Sequence, residues 1–221
     1  MKYSLFFCFC LVSVWSFPVY SQSNAAANEE IFNFPLVQAL LPQFNEVCGD
    51  LAKQPLIKGS FEQTKTISRL NRSLVSRGNF IIAAELGMVW DTKSPFPSVM
   101  TVGRDYIIQS IPGSNTRTQL DAKGNETFLH LAGTISAIFT GNSQSLLDNF
   151  EVYFTQSAKA WSLGLIPREK SIRSFAAKIT MTGDSSIRTI YIYEQNGDSI
   201  RYVLSDHIFP EILSPEEKAL F

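Results

Sequence analysis

The chain has 221 residues, 45% of them hydrophobic and 18% charged, a balance that supports a buried core and excludes intrinsic disorder. With 19 Lys and Arg against 20 Asp and Glu, the formal charge is −1, which excludes a broadly electropositive nucleic-acid binder. Two His and three Cys are little material for a metal cluster or a redox pair.

Lys2 precedes an almost continuous apolar run from Tyr3 to Trp15, broken at Pro18 and followed by Val19-Tyr20-Ser21. This predicts a secretory signal peptide over residues 1–21, cleaved after Ser21. The run is too short for a membrane-spanning helix. Cys8 and Cys10 lie inside it, without the small-residue tripeptide that marks lipid attachment, and are expected to leave with it. Cleavage leaves Cys48 as the sole cysteine, so the exported chain must hold its fold by its core alone.

Residues 22–34 are read as a flexible leader, and residues 35–221 as one domain. Val37, Leu40, Leu41, Phe44, Val47, Cys48 and Leu51 recur at helical spacing, with Pro42 predicting a kink or two short helices. After Pro55 the period becomes two, with Ile57, Gly59, Phe61 and Gln63 on one face. Further strands are predicted over 75–84, from Met88 to Asp91 after a turn at Gly87, over 99–102 and over 106–111, separated by Gly103-Arg104-Asp105. Phe128, Leu131, Ala132, Ile135, Ile138 and Phe139 form a helical stripe, stopped at Gly141-Asn142, with one more turn to Asp148. Strands return over 150–155, 161–166, 175–182, 187–194 and 200–204, the last two joined by Asn196-Gly197. Ser214-Pro215-Glu216-Glu217 reads as a capped helical turn. The fold class is therefore α+β, mainly β: about nine to eleven antiparallel strands in one curved sheet, an incomplete barrel with helices on its inner face.

No nucleophile elbow, phosphate loop, dinucleotide fingerprint or metal-ligand spacing occurs. His130 and His207 sit beside apolar residues and are read as structural. Asp184, Ser185 and Ser186 are read as a hairpin turn. No catalytic residue, metal or cofactor is assigned. Large apolar side chains alternate along the strands: Phe61, Phe80, Ile82, Met88, Trp90, Met100, Tyr106, Ile108, Trp161, Leu163, Leu165, Ile179, Met181 and Tyr191. Together they are expected to line an apolar cavity. Lys65, Arg69, Arg72 and Arg77 are read as a basic loop, a dock for lipid headgroups or an acidic partner; the competing reading is a solvated edge that discourages strand pairing.

Gly59-Ser60-Phe61-Glu62-Gln63-Thr64-Lys65, Ser76-x-Gly78-x-Phe80, Gly87-Met88-Val89-Trp90, Pro95-Phe96-Pro97-Ser98, Trp161-Ser162-Leu163-Gly164-Leu165-Ile166-Pro167 and Gly197-Asp198-Ser199-Ile200 follow one another in the order seen in the LolA family. The chain resembles these periplasmic carriers of outer-membrane lipoproteins over nearly its whole mature length. The resemblance implies an incomplete β-barrel under a helical lid, with Phe128, Leu131, Ile135 and Phe139 on the lid. It implies carriage of an acylated cargo through the periplasm without bond chemistry, by a protein expected to be monomeric, with an inner-membrane exporter and an outer-membrane acceptor as partners. A membrane-associated receptor of the same fold is the alternative reading, and a lipid-acting hydrolase a weaker one. Many family carriers have an Arg-Pro pair shortly before the matching Trp, where the Arg helps latch the lid; here Ala83-Ala84-Glu85 occupy that stretch.

Overall fold

The structure, a computed structural model, describes residues 29–114, 117–121, 137, 139–158 and 160–221. The predicted signal peptide and the stripe positions Phe128, Leu131 and Ile135 lie outside the described residues.

Eleven strands form one antiparallel sheet: β1 (Leu56–Ile67), β2 (Arg72–Ala83), β3 (Gly87–Ser94), β4 (Ser98–Val102), β5 (Tyr106–Ser110), β6 (Arg117–Asp121), β7 (Phe150–Ser157), β8 (Ala160–Pro167), β9 (Lys178–Gly183), β10 (Ile187–Tyr193) and β11 (Ser199–Ile208). Their order is β6-β5-β4-β3-β2-β1-β11-β10-β9-β8-β7. Two meanders are thus zipped together where β11 pairs with β1, setting Phe61 opposite Leu204. The sheet is curved and does not close; β6 and β7 are its outermost strands.

The helices are short: α1 (Leu41–Ala52), α2 (Ser143–Asn149), α3 (Lys170–Arg173) and α4 (Pro215–Lys218). Pro42 sits in the first turn of α1, where its missing N–H leaves no bond unmade. A separate 3-10 turn, Gln38–Leu40, precedes it, so the proline separates two helical pieces. Gly141 takes a left-handed φ of +63° and Asn142 caps α2, its side chain accepting from the Ser145 N–H at 3.0 Å.

Part of the expected leader is ordered. Glu30–Asn33 is a 3-10 turn with Ile31 buried, because Ile31 and Phe32 cover Gly164, where no side chain stands in the way. The chain then lies along the β7 border, Phe34 accepting from the Phe154 N–H at 3.0 Å and Leu36 donating to Val152 at 2.9 Å. Pro35 stands opposite Tyr153 and offers no further donor, which blunts that border. At the other end of the chain α4 carries the expected capping box. Glu217 is tied to Lys58 of β1 at 2.5 Å, Thr101 donates to the Leu220 carbonyl at 2.8 Å, and Leu213 and Phe221 pack over Leu56, Ile81, Ala83 and Val89. Residues 30–33 and the C-terminal residues 213–221 therefore clad the outer face of the sheet.

Candidate lipid-binding interior

One face of the sheet and one face of α1 make a single apolar core. Phe44, Val47, Cys48 and Leu51 of α1 pack with Phe61, Phe80, Ile82, Met88 and Trp90 of the first meander and with Trp161, Leu163, Leu165, Ile179 and Met181 of the second. All of these are buried, and Met100 packs against them. The expected inward positions on β1 to β4, β8 and β9 thus converge on one face. Phe139 joins them, its ring 6.3 Å from that of Trp90.

The glycines of the recognised motifs have a physical reason. Gly59 lies opposite Phe80, and a Cβ there would stand 2.8 Å from the Phe80 ring. The glycine lets that ring lie flat across β1 and stack on Trp90 at 5.7 Å. Phe61 and Tyr202 close on the same indole at 5.1 and 5.4 Å. The centre of the inner face is therefore aromatic.

Three expected lining residues face outward instead. Val102 pairs with Ile107 across the β4–β5 turn, so Ile107 points inward with the core while Tyr106 and Ile108 fall on the outer face. There the Tyr106 hydroxyl donates to the Phe221 main-chain oxygen. The turn fixes this phase, since one residue of slip flips every side chain. Likewise Ile190 and Ile192 belong to the inner face, which places Tyr191 outside, against Tyr193 at 4.7 Å. The basic group is also divided. Lys65 is no loop residue: it lies on β1 with its side chain 4% exposed, paired with Glu194 and 3.9 Å from Asp198. Arg77 pairs with Glu62 at 2.6 Å. Arg69 and Arg72 are exposed at the β1–β2 turn.

The inner face also recruits residues the sequence pattern did not single out, among them Ile107, Val152, Phe154, Ile190, Tyr202 and Leu204. Alternation through β7, β10 and β11 carried that signal, but its phase needed the strand register.

Among the described residues, two small voids lie along the expected hollow. One void of about 10 Å³ is bordered by Phe44, Leu146, Phe154, Trp161 and Met181, and another of about 10 Å³ by Leu51, Ile57, Phe139, Ser186 and His207. Each is about the size of one water. The α1 side chains occupy the space that an open sheet would offer. Among the described residues the buried Trp90 Nε1–H, the Ser186 hydroxyl and one Asp91 carboxylate oxygen have no hydrogen-bond partner. Burial alone pushes the Cys48 thiol up to about 12 and raises the Tyr202 phenol, with Glu194 adding to the latter.

His207 is part of the wall. Its ring lies 5.7 Å from Phe80, and Nδ1 is 3.1 Å from the Arg188 guanidinium. Arg188 can only donate, so Nδ1 accepts. Burial first, then the Arg188 charge, lower the imidazole pKa and keep the ring neutral. The Asp184 carboxylate holds Arg188 at 3.1 Å. Among the described residues no group of His, Cys, Asp and Glu is placed to hold a metal ion, and no helix is long and apolar enough to cross a membrane.

The family model of the outer membrane lipoprotein carrier protein LolA matches residues 53–208. The chain belongs to the LolA family. The match spans β1 to β11, the whole sheet of this LolA-family protein. No curated protein matches it. Solved structures similar to it include a LolA superfamily protein from Nitrosomonas europaea, 9% identical, covering 76% of this chain and 94% of that one with a TM-score of 0.40. A putative outer membrane lipoprotein-sorting protein domain from Vibrio parahaemolyticus is 11% identical, with 81% and 98% covered and a TM-score of 0.41. The MucA/MucB complex of Pseudomonas aeruginosa is also similar, at 9% identity, 81% and 60% coverage and a TM-score of 0.37.

Proposed function

We propose that this protein is a periplasmic carrier that shields the acyl chains of a lipoprotein or another lipid in transit between the inner and outer membranes, without making or breaking bonds. One observation carries the reading. The inner face of the sheet is apolar from β7 to β5, and within the described residues it is covered by the short helices α1 and α2 together with Ala137 and Phe139 rather than by a second sheet. A helix of one or two turns' contact can be exchanged for a ligand of matching hydrophobicity; a paired strand cannot.

Lipid chains are held in membranes by about 0.8 kcal/mol per methylene, so unaided transfer through water is negligible. The carrier must offer apolar area and then withdraw it. Displacing α1 exposes Phe61, Phe80, Trp90, Phe154, Leu163 and Met181, and its return expels the cargo. Within that surface the Trp90 N–H, which has no partner among the described residues, supplies one donor, matched to the ester or amide carbonyl at the head of an acyl chain. An inner-membrane exporter would load the protein and an outer-membrane acceptor would empty it.

The test is uptake of a fluorescent fatty-acyl probe by delipidated protein. Saturable uptake that quenches or shifts the emission of Trp90 and Trp161 is expected; no saturable uptake would discard the reading.

A further inference from the structure

In the first meander the β1–β2, β3–β4 and β5–β6 connections all lie at one end of the sheet, on neighbouring strand pairs. Each carries apolar side chains into solvent: Leu70 (54% exposed), Leu74 and Val75 on the first, Phe96 (56%) on the second and Ile111 on the third. Between them stand the exposed cations Arg69, Arg72 and Arg117, and Lys93, which is paired with Asp91 at 2.7 Å. The described residues of these tips, 68–76, 92–98, 109–114 and 117, contain no Asp or Glu; the carboxylates beside them are held in ion pairs, Asp91 with Lys93 and Glu194 and Asp198 with Lys65. The connections are also braced. Ser68 donates its N–H to Asp198 at 2.9 Å and its hydroxyl to the Gly197 carbonyl, and Phe96 is flanked by Pro95 and Pro97.

The opposite end differs in charge. Its β2–β3 and β4–β5 turns present Glu85, Arg104 and Asp105, and its own exposed apolar residues, Ile208, Phe209 and Ile212, stand beside Asp206 and Glu211. Apolar tips ringed by cations fit an anionic bilayer, where the side chains reach the acyl boundary and the cations meet phosphate. The same apolar character ringed by acids is repelled from it.

We propose that the three hairpin tips are a docking surface for anionic phospholipid, placing one end of the sheet on the membrane with the acidic end away from it. This surface is separate from the interior: it lies on the loops, beyond the inner-face residues that would hold a cargo.

The test is flotation of the purified protein with phosphatidylcholine vesicles, with and without phosphatidylglycerol, at low and high salt. Binding to the phosphatidylglycerol vesicles at low salt is expected, with loss at high salt and little binding to phosphatidylcholine alone. Each surface cation removed is expected to weaken partitioning about fivefold, so Arg69→Gln with Arg72→Gln lowers it about 25-fold. Leu70→Ser with Phe96→Ser and Ile111→Ser also lowers it. Ile208→Ser at the acidic end does not. In all these variants acyl-probe uptake in the absence of vesicles stays at the wild-type level, so failure of docking and failure of carriage are read separately. No binding to phosphatidylglycerol vesicles overturns the proposal, as does binding that the tip variants leave unchanged; in the latter case an acidic protein partner is the surviving reading of the tips.

Discussion

Cys48 offers a direct view of whether α1 leaves the sheet. It is buried on the sheet-facing side of α1, and burial lifts its thiol to about 12, so almost no thiolate exists at neutral pH and reagents cannot reach it. Opening exposes Phe44, Val47 and Leu51 along with it. At about 1.5–3 kcal/mol per large side chain, that costs about 5–9 kcal/mol. A thiol reacting only from the opened state is then slowed by more than about three orders of magnitude. Cargo changes the balance: at about 0.8 kcal/mol per methylene, about six to eleven buried methylenes offset the opening. The expected outcome is a chain-length threshold. Short acyl ligands leave Cys48 protected, while chains beyond about a dozen carbons bring its labelling toward the rate of an exposed thiol. The assay is stopped-flow labelling with a charged thiol reagent across a series of chain lengths. A long-chain ligand that binds saturably yet leaves Cys48 as protected as before would refute the displacement of α1.

Four further outcomes follow from named contacts. Gly141→Ala forces a Cβ into the Cys48 carbonyl at a left-handed φ of +63°; it is expected to cost about 1–3 kcal/mol, lowering Tm and speeding Cys48 labelling together. Lys65→Met strands the partly buried Glu194 carboxylate and should cost about 3–5 kcal/mol in urea unfolding, with Glu194→Gln in the same chain restoring part of it. Trp90→Phe leaves a cavity among Phe61, Phe80, Phe139 and Tyr202 and is expected to cost about 1–2 kcal/mol, while it removes a buried donor that has no partner among the described residues; hydrocarbon uptake should be unchanged and ester- or amide-bearing ligands should bind up to about tenfold more weakly in fluorescence titration. The Glu217 carboxyl is held below its usual value, first by the hydrogen bond from Lys58 and then by the Ser214 N–H. Its contribution is present above the unfolded value of about 4.3 and lost as pH falls through the lower folded value. The protection factors of amides in residues 214–221, taken relative to the intrinsic exchange rate at each pH, should therefore fall below about pH 4 and hold in mild alkali.

The strands were legible where alternation and turn residues agreed. Asn196-Gly197 delivers the β10–β11 hairpin, with Gly197 at φ +84°, and Met88 and Trp90 face inward as their spacing demands. The failures are failures of phase. Tyr106, Ile108 and Tyr191 alternate as correctly as Ile107 and Ile190, and only the residue pairing across the preceding turn says which set is inside. Strand β6 escaped notice because Arg117-Thr118-Gln119 is polar, and its strand state comes from pairing with β5. Strand β9 starts at Lys178, not at Phe175, because α3 and the turn after it bury Ile172 and Ala176 first. The burial of Lys65 is not legible locally, since its ion-pair partners lie 129 and 133 positions away. The aromatic centre of the interior was nearly all visible, Tyr202 excepted. That helices lie over it was legible as well; how closely the α1 side chains pack into it was not, because helical periodicity shows an apolar face without showing how deeply that face is seated.

The seam between β1 and β11 also governs how such a chain comes to be folded. Synthesis delivers β1 among the first elements and β11 last, yet they are neighbours and together hold the two halves of the sheet. Until the final strand arrives, one long border of β1 presents unpaired amides and a greasy half-shell with no counterpart, the condition in which partly made sheets stick to one another. Non-local pairing of this kind is slow. Truncation before Ser199 should therefore yield insoluble product rather than a smaller working half.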